Sequence, residues 1–363
     1  MCLMYREIMT KQSLTHFLIF CICCIAAGCD SGSQTTQYQD VAEVKWQSDG
    51  SAIFGFIQSY ALNINSSQPS VFYNIAKFNT DGSVNQIYNS NGPASRPVDA
   101  LGQTESYSPS IYLSADGSTI ITQLEYDLYK YSVRTNVLQK IDSLFHLILV
   151  SPDLHYAIGT TSPQIQPTKT ILVFDINSSP IRQVRKFDVM GVSLSPGIWL
   201  NNGSFGITCS DSVGEHISIF DTNSVGIPIA VIPGAQTQFH NAVFNAATND
   251  LFIRDHAGKT TDYYLDKVNI TSMARTTILN FQVDNFDVTN DEQVVIYAAK
   301  DTINSTTNGS SIKSRNLQTL NEQTLAKDNL RYVVLSPAQN QLAYVSGSPT
   351  TFNEIHVIPF TKP

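Results

Sequence analysis

The chain has 363 residues, of which 42% are hydrophobic and only 14% charged, with a formal net charge of -8. The acidic balance argues against a nucleic-acid partner, because that needs a basic face to displace counterions. With charge well below the usual ~25%, the polar surface must come from Ser, Thr, Asn and Gln, as is common in exported β-rich proteins.

The first residues read as a leader. Arg6 and Lys11 precede an apolar stretch from Phe17 to Ala27, too short to span a bilayer but suited to a signal-peptide core. It ends in Ala26-Ala27-Gly28-Cys29, which resembles the lipobox of bacterial lipoproteins, although Ala26 stands where that family prefers Leu. The resemblance implies a signal peptide over 1–28, cleavage after Gly28, and a lipid such as palmitate on Cys29, the new N-terminus. Cysteine usage agrees. Cys2, Cys21, Cys23 and Cys24 fall in the leader, leaving Cys29 and Cys209; with Cys29 acylated, no disulfide can form. The polar run DSGSQTTQYQD completes a tether over 29–40. Asp30 resembles an inner-membrane retention signal of some Gram-negative lineages, and inner against outer membrane stays open.

From Val41 onward the chain is all strand. Gly, Pro, Asn and Asp clusters separate segments rich in Ile, Val, Phe, Tyr and Thr, the pattern of short strands and tight turns. The most regular unit is Ser108–Ile141: SPSIYLS, an Asp-Gly turn, STIITQL, DLYKYSV, an Arg-Thr-Asn turn, and VLQKI. Six other units copy it imperfectly. Their first hairpin turns align at Asp49, Asp116, Asp153, Asn202, Ala247, Asp291 and Ala338, spaced 67, 37, 49, 45, 44 and 47 residues apart. Units of about 40 to 50 residues with four strands each are the signature of propeller blades. Ile171–Phe174 and His146–Val150 are apolar runs, as expected of strands covered on both faces.

The fold expected is therefore all-β: one β-propeller over 41–363, most simply of seven blades of four antiparallel strands, with six or eight as alternatives. The last unit has sequence for three strands only. A ring usually closes by borrowing the missing strand from the opposite terminus. Ser33–Asp40 is the only stretch available and is weakly β-forming, so the last blade is expected to be partly closed or three-stranded.

The turns Ser151-Pro152-Asp153, Ser114-Ala115-Asp116-Gly117, Ser48-Asp49-Gly50 and Ser336-Pro337 resemble the Ser-Pro-Asp-Gly turns of the WD40-like repeats in TolB-type periplasmic propellers. The resemblance spans essentially all of 41–363. Phe174-Asp175 and Phe220-Asp221 stand where Trp-Asp occurs in true WD40 repeats. Such motifs specify a turn, not a chemistry.

Catalytic patterns are missing. There is no Gly-x-Ser-x-Gly elbow, nor a helical hydrolase region after the propeller. The histidines outside the leader, His146, His155, His216, His240, His256 and His356, fall in different strands or turns without ligand spacing. Asp211, Glu215, His216 and Asp221 come nearest to a ligand set and read better as a solvated loop. Cys209 reads as a small buried residue, and Trp46 and Trp199 as packing between blades. No cofactor or metal is implied.

Irregularity is the remaining clue. The first unit carries additions at Ala61–Ser70 and Asn89–Tyr107, and a smaller polar stretch lies at Ser305–Ser311. Binding tends to reside in such loops on a rigid scaffold, which makes Arg96, Asp99 and Tyr107 the candidate partner contacts. The function expected is a membrane-anchored binding or assembly module of the bacterial cell envelope, recognising a protein, peptide or saccharide. The alternative is an enzyme centred on the channel, a lyase or lactonase-like hydrolase.

Overall fold

A computed structural model describes residues 36–62, 70–79, 84–89, 111–124, 127–143, 146–160, 168–178, 180–192, 197–200, 203–212, 214–223, 226–233, 235–236, 242–255, 264–281, 283, 285–300, 310–328, 330–348 and 351–363. They form 28 strands in seven antiparallel sheets. Blade 1 holds β1 (Thr36–Trp46), β2 (Ala52–Leu62), β3 (Ser70–Asn79) and β4 (Val84–Asn89). Blade 2 holds β5 (Ile111–Leu113), β6 (Thr119–Leu124), β7 (Asp127–Ser132) and β8 (Val137–Ser143). Blade 3 holds β9 (His146–Val150), β10 (Tyr156–Thr160), β11 (Thr168–Asp175) and β12 (Arg182–Met190). Blade 4 holds β13 (Ile198–Trp199), β14 (Ser204–Asp211), β15 (Gly214–Asp221) and β16 (Ala230–Pro233). Blade 5 holds β17 (Ala235–Gln236), β18 (Ala242–Asn245), β19 (Asp250–Asp255), β20 (Tyr264–Asn269) and β21 (Arg275–Leu279). Blade 6 holds β22 (Asn285–Val288), β23 (Val294–Lys300), β24 (Ser310–Asn316) and β25 (Glu322–Asp328). Blade 7 holds β26 (Leu330–Leu335), β27 (Gln341–Ser348) and β28 (Thr351–Pro359). The chain is a seven-bladed β-propeller.

Its core is a ring rather than a centre. Each of the seven junctions has its own buried apolar cluster, built from the facing sides of two successive blades. Middle strands serve both neighbours. In β19, Leu251 and Ile253 face blade 4 while Phe252 faces blade 6; in β11, Ile171 and Val173 face blade 4 while Leu172 and Phe174 face blade 2. That is why these strands are apolar without alternation.

Closure follows the expectation of a three-stranded last blade among the described residues. Thr36–Asp40 does not supply a fourth strand to blade 7. It lengthens β1 instead, pairing with Gln58–Leu62. Blade 7 has three strands among the described residues, and the ring closes by packing. Val41, Val44, Trp46 and Ile57 of blade 1 meet Ala343, Val345 and Ile355 of blade 7. The Trp46 indole N–H donates to the Val334 carbonyl at 3.0 Å.

One smaller expectation shifts. Ser310 and Ser311, read as part of a polar turn, begin β24 and are buried. In blade 5, Ala247 keeps its aligned position: it sits within the Asn245–Asp250 pair as Asp116 sits within the Ser114–Thr119 bond of blade 2, although the left-handed residue there is Asn249, with φ of 58°.

Candidate functional site

A propeller disc has two ends. At one, here the turn face, the inner strand of each blade turns into the second. At the other, the loop face, second strands lead to third strands and one blade leads to the next. The turn face is built from the Ser/Thr-x-Asp motif, and the structure shows its mechanism. The Asp116 carboxylate accepts from Ser114 Oγ at 2.6 Å and from the Ser118 amide at 3.0 Å. Ser114 Oγ in turn accepts the Thr119 amide at 2.9 Å. Asp153 repeats this with Ser151 and His155, and Asp291 with Thr289 and Gln293. The bonds from Ser114 and Ser118 pull Asp116 down to about 2. Those from Lys362 and Thr289 do the same for Asp291. Gly50 and Gly117 take the left-handed position with φ of 73° and 65°, which glycine adopts without strain. These carboxylates hold turns; they are scaffold.

Inner-strand polar groups are equally committed. Glu43, buried in β1, accepts the Ile111 amide of blade 2 at 2.7 Å. Asn285 and Asp287 of β22 accept the amides of Val333 and Leu335 of blade 7, each at 2.8 Å. Tyr112 donates its hydroxyl to the Ile148 carbonyl. Burial pushes Asp287 up to about 6, against the Leu335 and Val288 amides, which favour its charge. These groups stitch one blade to the next.

The histidines with described side chains do not converge. His155 lies beside Asp175 in blade 3, at 3.4 Å. His216 lies near the Gly214 carbonyl in blade 4, and His356 is buried in blade 7. Among the described residues no three His, Cys, Asp or Glu side chains come close enough together to hold a metal ion. Cys209 is buried in the cluster between blades 3 and 4. Trp199 stacks between Tyr156 and Phe205. Both tryptophans and Cys209 are therefore packing residues. Cys29, Arg96, Asp99 and Tyr107 lie outside the described residues.

Two clusters were not apparent from sequence. On the turn face, Lys267 reaches Asp250 at 2.6 Å and Glu292 at 2.5 Å, linking blades 5 and 6. Asn245 and Thr248 also bond Glu292, and Asn269 bonds Asp250 at 2.8 Å. Burial lowers the Lys267 pKa, but its bonds to the two carboxylates outweigh that and hold it above the ordinary value. In blade 7, His356 Nε2 lies 2.7 Å from Ser346 Oγ and 3.5 Å from Glu354 Oε2, with Tyr344 stacked on the ring. Ser, His and Glu together suggest a catalytic triad, but the geometry excludes one. A triad needs the carboxylate on the imidazole nitrogen opposite the serine. Here both oxygens approach the same nitrogen, and Ser346 is fully buried. The only sequence signal was strand register, which pairs Tyr344 with His356 and Ser346 with Glu354.

No protein-family model matches the chain, and no curated protein matches its sequence. Solved structures do resemble it. Oligogalacturonate lyase from Vibrio parahaemolyticus superposes with a TM-score of 0.61 at 11% identity, over 90% of this chain and 91% of that one. An oligogalacturonate lyase in complex with manganese gives 0.61 at 9% identity, over 90% and 91%. The propeller domain of the Trilobed protease from Pyrococcus furiosus, which has an open velcro topology, gives 0.59 at 10%, over 88% and 95%. TolB from Acinetobacter baumannii superposes more loosely, at 0.44 and 12% identity over 88% and 79%, and adds nothing to the assignment. At these identities the likeness is one of fold alone.

Proposed function

We propose that the chain is a binding module of the bacterial cell envelope, held at a membrane by a lipid on Cys29. Its disc presents the loop face, with Arg96, Asp99 and Tyr107, to a protein, peptide or saccharide. One observation carries this reading. The inner-strand carboxylates and the turn-face aspartates described above are spent on holding blades and turns together, while the chain's long additions join strands at the loop face. Scaffold and variable loops are thus separated, as in rigid discs that bind through their loops. The anchor is tested by Cys29→Ala, which is expected to leave the membrane fraction and to lose labelled palmitate. Protein still acylated and membrane-bound refutes it. Replacing Arg96, Asp99 and Tyr107 by alanine is expected to abolish site-specific cross-links to envelope components without changing the melting temperature; unchanged cross-linking removes the loop from the reading.

A second reading, a channel-centred lyase, is favoured by the fold shared with oligogalacturonate lyase. Release of unsaturated product from oligogalacturonates by the purified protein, lost on substituting inner-strand polar residues, replaces the binding reading with this one.

A further inference from the structure

Blade 7 has fewer strands than the other blades among the described residues, so its outer edge is that of a third strand. Phe360 donates its amide to the Asn340 carbonyl. Residues in step with it, Ile358, His356 and Glu354, therefore turn their amides toward β27, while Val357 and Ile355 turn theirs outward. No strand pairs with that edge among the described residues. Exposed edges are normally blunted by Lys, Arg, Pro or shortness. Among the fourth strands, β8 carries Lys140, β12 carries Arg182, Arg185 and Lys186, β21 carries Arg275, and β25 carries Lys327. β16 is uncharged but short and ends on Pro233, and β4 has neither charge nor proline. β28 has no Lys or Arg, and its one proline, Pro359, stands at its last position and leaves the outward amides of Ile355 and Val357 intact. Its apolar side chains Val357 and Ile358 are half-buried on opposite faces, one against the blade 1 junction and one against blade 6.

Charge shows what fits there. Six residues before the equivalent amide, Val133, stands Asp127, which meets Lys140 of the fourth strand at 2.8 Å. Six before Ile176 stands Thr170, bonded to Asp188 of the fourth strand at 2.7 Å. Six before Phe360 stands Glu354, whose side chain is 41% exposed. It is the blade 7 counterpart of Asp127, with Ser346 and His356 each 3.5 Å away and no fourth-strand lysine among the described residues.

We infer that the edge of β28 receives an extended peptide segment of a partner protein as the fourth strand of blade 7. That segment is apolar and β-branched on both faces and carries one Lys or Arg that pairs with Glu354. Backbone bonds to Ile355 and Val357 would give affinity, and the basic residue would set register. The stretch of this chain nearest to hand is already used, since Thr36–Asp40 lies in β1. The inference deepens the binding-module reading and rests on it.

The test uses the full-length protein, hydrogen exchange resolved to single amides, and two synthetic peptides: acetyl-TVTVKVTV-amide and its twin with Glu for Lys. Without peptide, the Ile355 and Val357 amides are expected to exchange at least ~100-fold faster than His356 and Ile358. The basic peptide slows both, and the acidic twin binds about tenfold more weakly. Glu354→Lys, at an exposed position, reverses the preference. The proposal is overturned if neither peptide protects Ile355 and Val357, or if Glu354→Lys leaves the preference unchanged. It is also overturned if both amides are protected beforehand. Protection lost on removing residues before Thr36 then identifies this chain's own N-terminal segment, and protection that grows with protein concentration identifies a second copy. Failure here leaves the loop-face reading standing, because that rests on the Cys29 and loop variants.

Discussion

Blades 5 and 6 are held together by a polar clamp at the turn face, whereas blades 7 and 1 meet through an apolar face and the indole hydrogen bond of Trp46. Both junctions bury a hydrophobic cluster. The first adds Lys267 between Asp250 and Glu292, with amides and a hydroxyl completing the carboxylates. The second joins the two ends of the ring and has no covalent link across it. Ring closure therefore depends on side-chain packing where other blade pairs also have a chain connection. Neither kind of junction requires chemistry, and both use strong local bonding to hold geometry.

The largest effect is expected at the closing junction. Trp46→Ala removes the side chain that fills it and its bond to Val334, and should lower unfolding free energy by about 3–5 kcal/mol. Denaturant unfolding with a fitted m-value measures it; a loss under about 1 kcal/mol means the closing face is not held by this residue. Next comes the clamp. Lys267→Met leaves two largely buried carboxylates without their cation and is expected to cost roughly 2–3 kcal/mol. Burial raises the Asp250 pKa, but its bonds to Lys267 and Asn269 outweigh that and hold it below 3.8, so the loss is expected to shrink only as pH falls through that range. A loss under about 1 kcal/mol at neutral pH contradicts the clamp.

A third junction sharpens the contrast through pH. The folded-state pKa of Asp287 is raised from 3.8 to about 6. The folded protein therefore holds a proton that the unfolded chain gives up between about pH 4 and 6, and this group's contribution falls as pH rises through that window. Asp287→Asn cannot titrate, so the decline in stability from pH 4 to pH 8 should shrink by roughly 1–3 kcal/mol. Equal slopes for the two proteins would place the pH dependence elsewhere.

The smallest effect lies in the turn of blade 7. Gln339 holds φ of 55° where Gly117 serves in blade 2. Gln339→Gly is expected to stabilise by about 0.5–1 kcal/mol through relief of left-handed strain. Destabilisation would show that the Gln339 side chain contributes more than the strain costs.

Much of the fold was legible because each blade repeats local physics. Asp116-Gly117 announces its turn, and Ile171–Phe174 announces a strand covered on both sides. Where sequence reading went astray, the deciding partner was distant. Thr36–Asp40 looks like tether by propensity, but Gln58–Leu62 gives it a ladder. Ser310 and Ser311 look like loop, yet tertiary burial overrides their weak strand preference. The clamp was invisible because Lys267, Asp250 and Glu292 share no spacing motif and meet only across a junction. The candidate contacts Arg96, Asp99 and Tyr107 were chosen from loop length alone, and the described residues do not reach them.

The bond from Trp46 to Val334 spans 288 residues. A contact of such sequence separation forms late, after nearly all the chain is available, and slows folding. For a chain threaded through a membrane N-terminus first, the last blade is the last to emerge. The first blade must wait with one apolar face uncovered until then. Closure of the disc is thus timed by its last blade, and until that blade folds the apolar face of blade 1 is the surface that needs shielding.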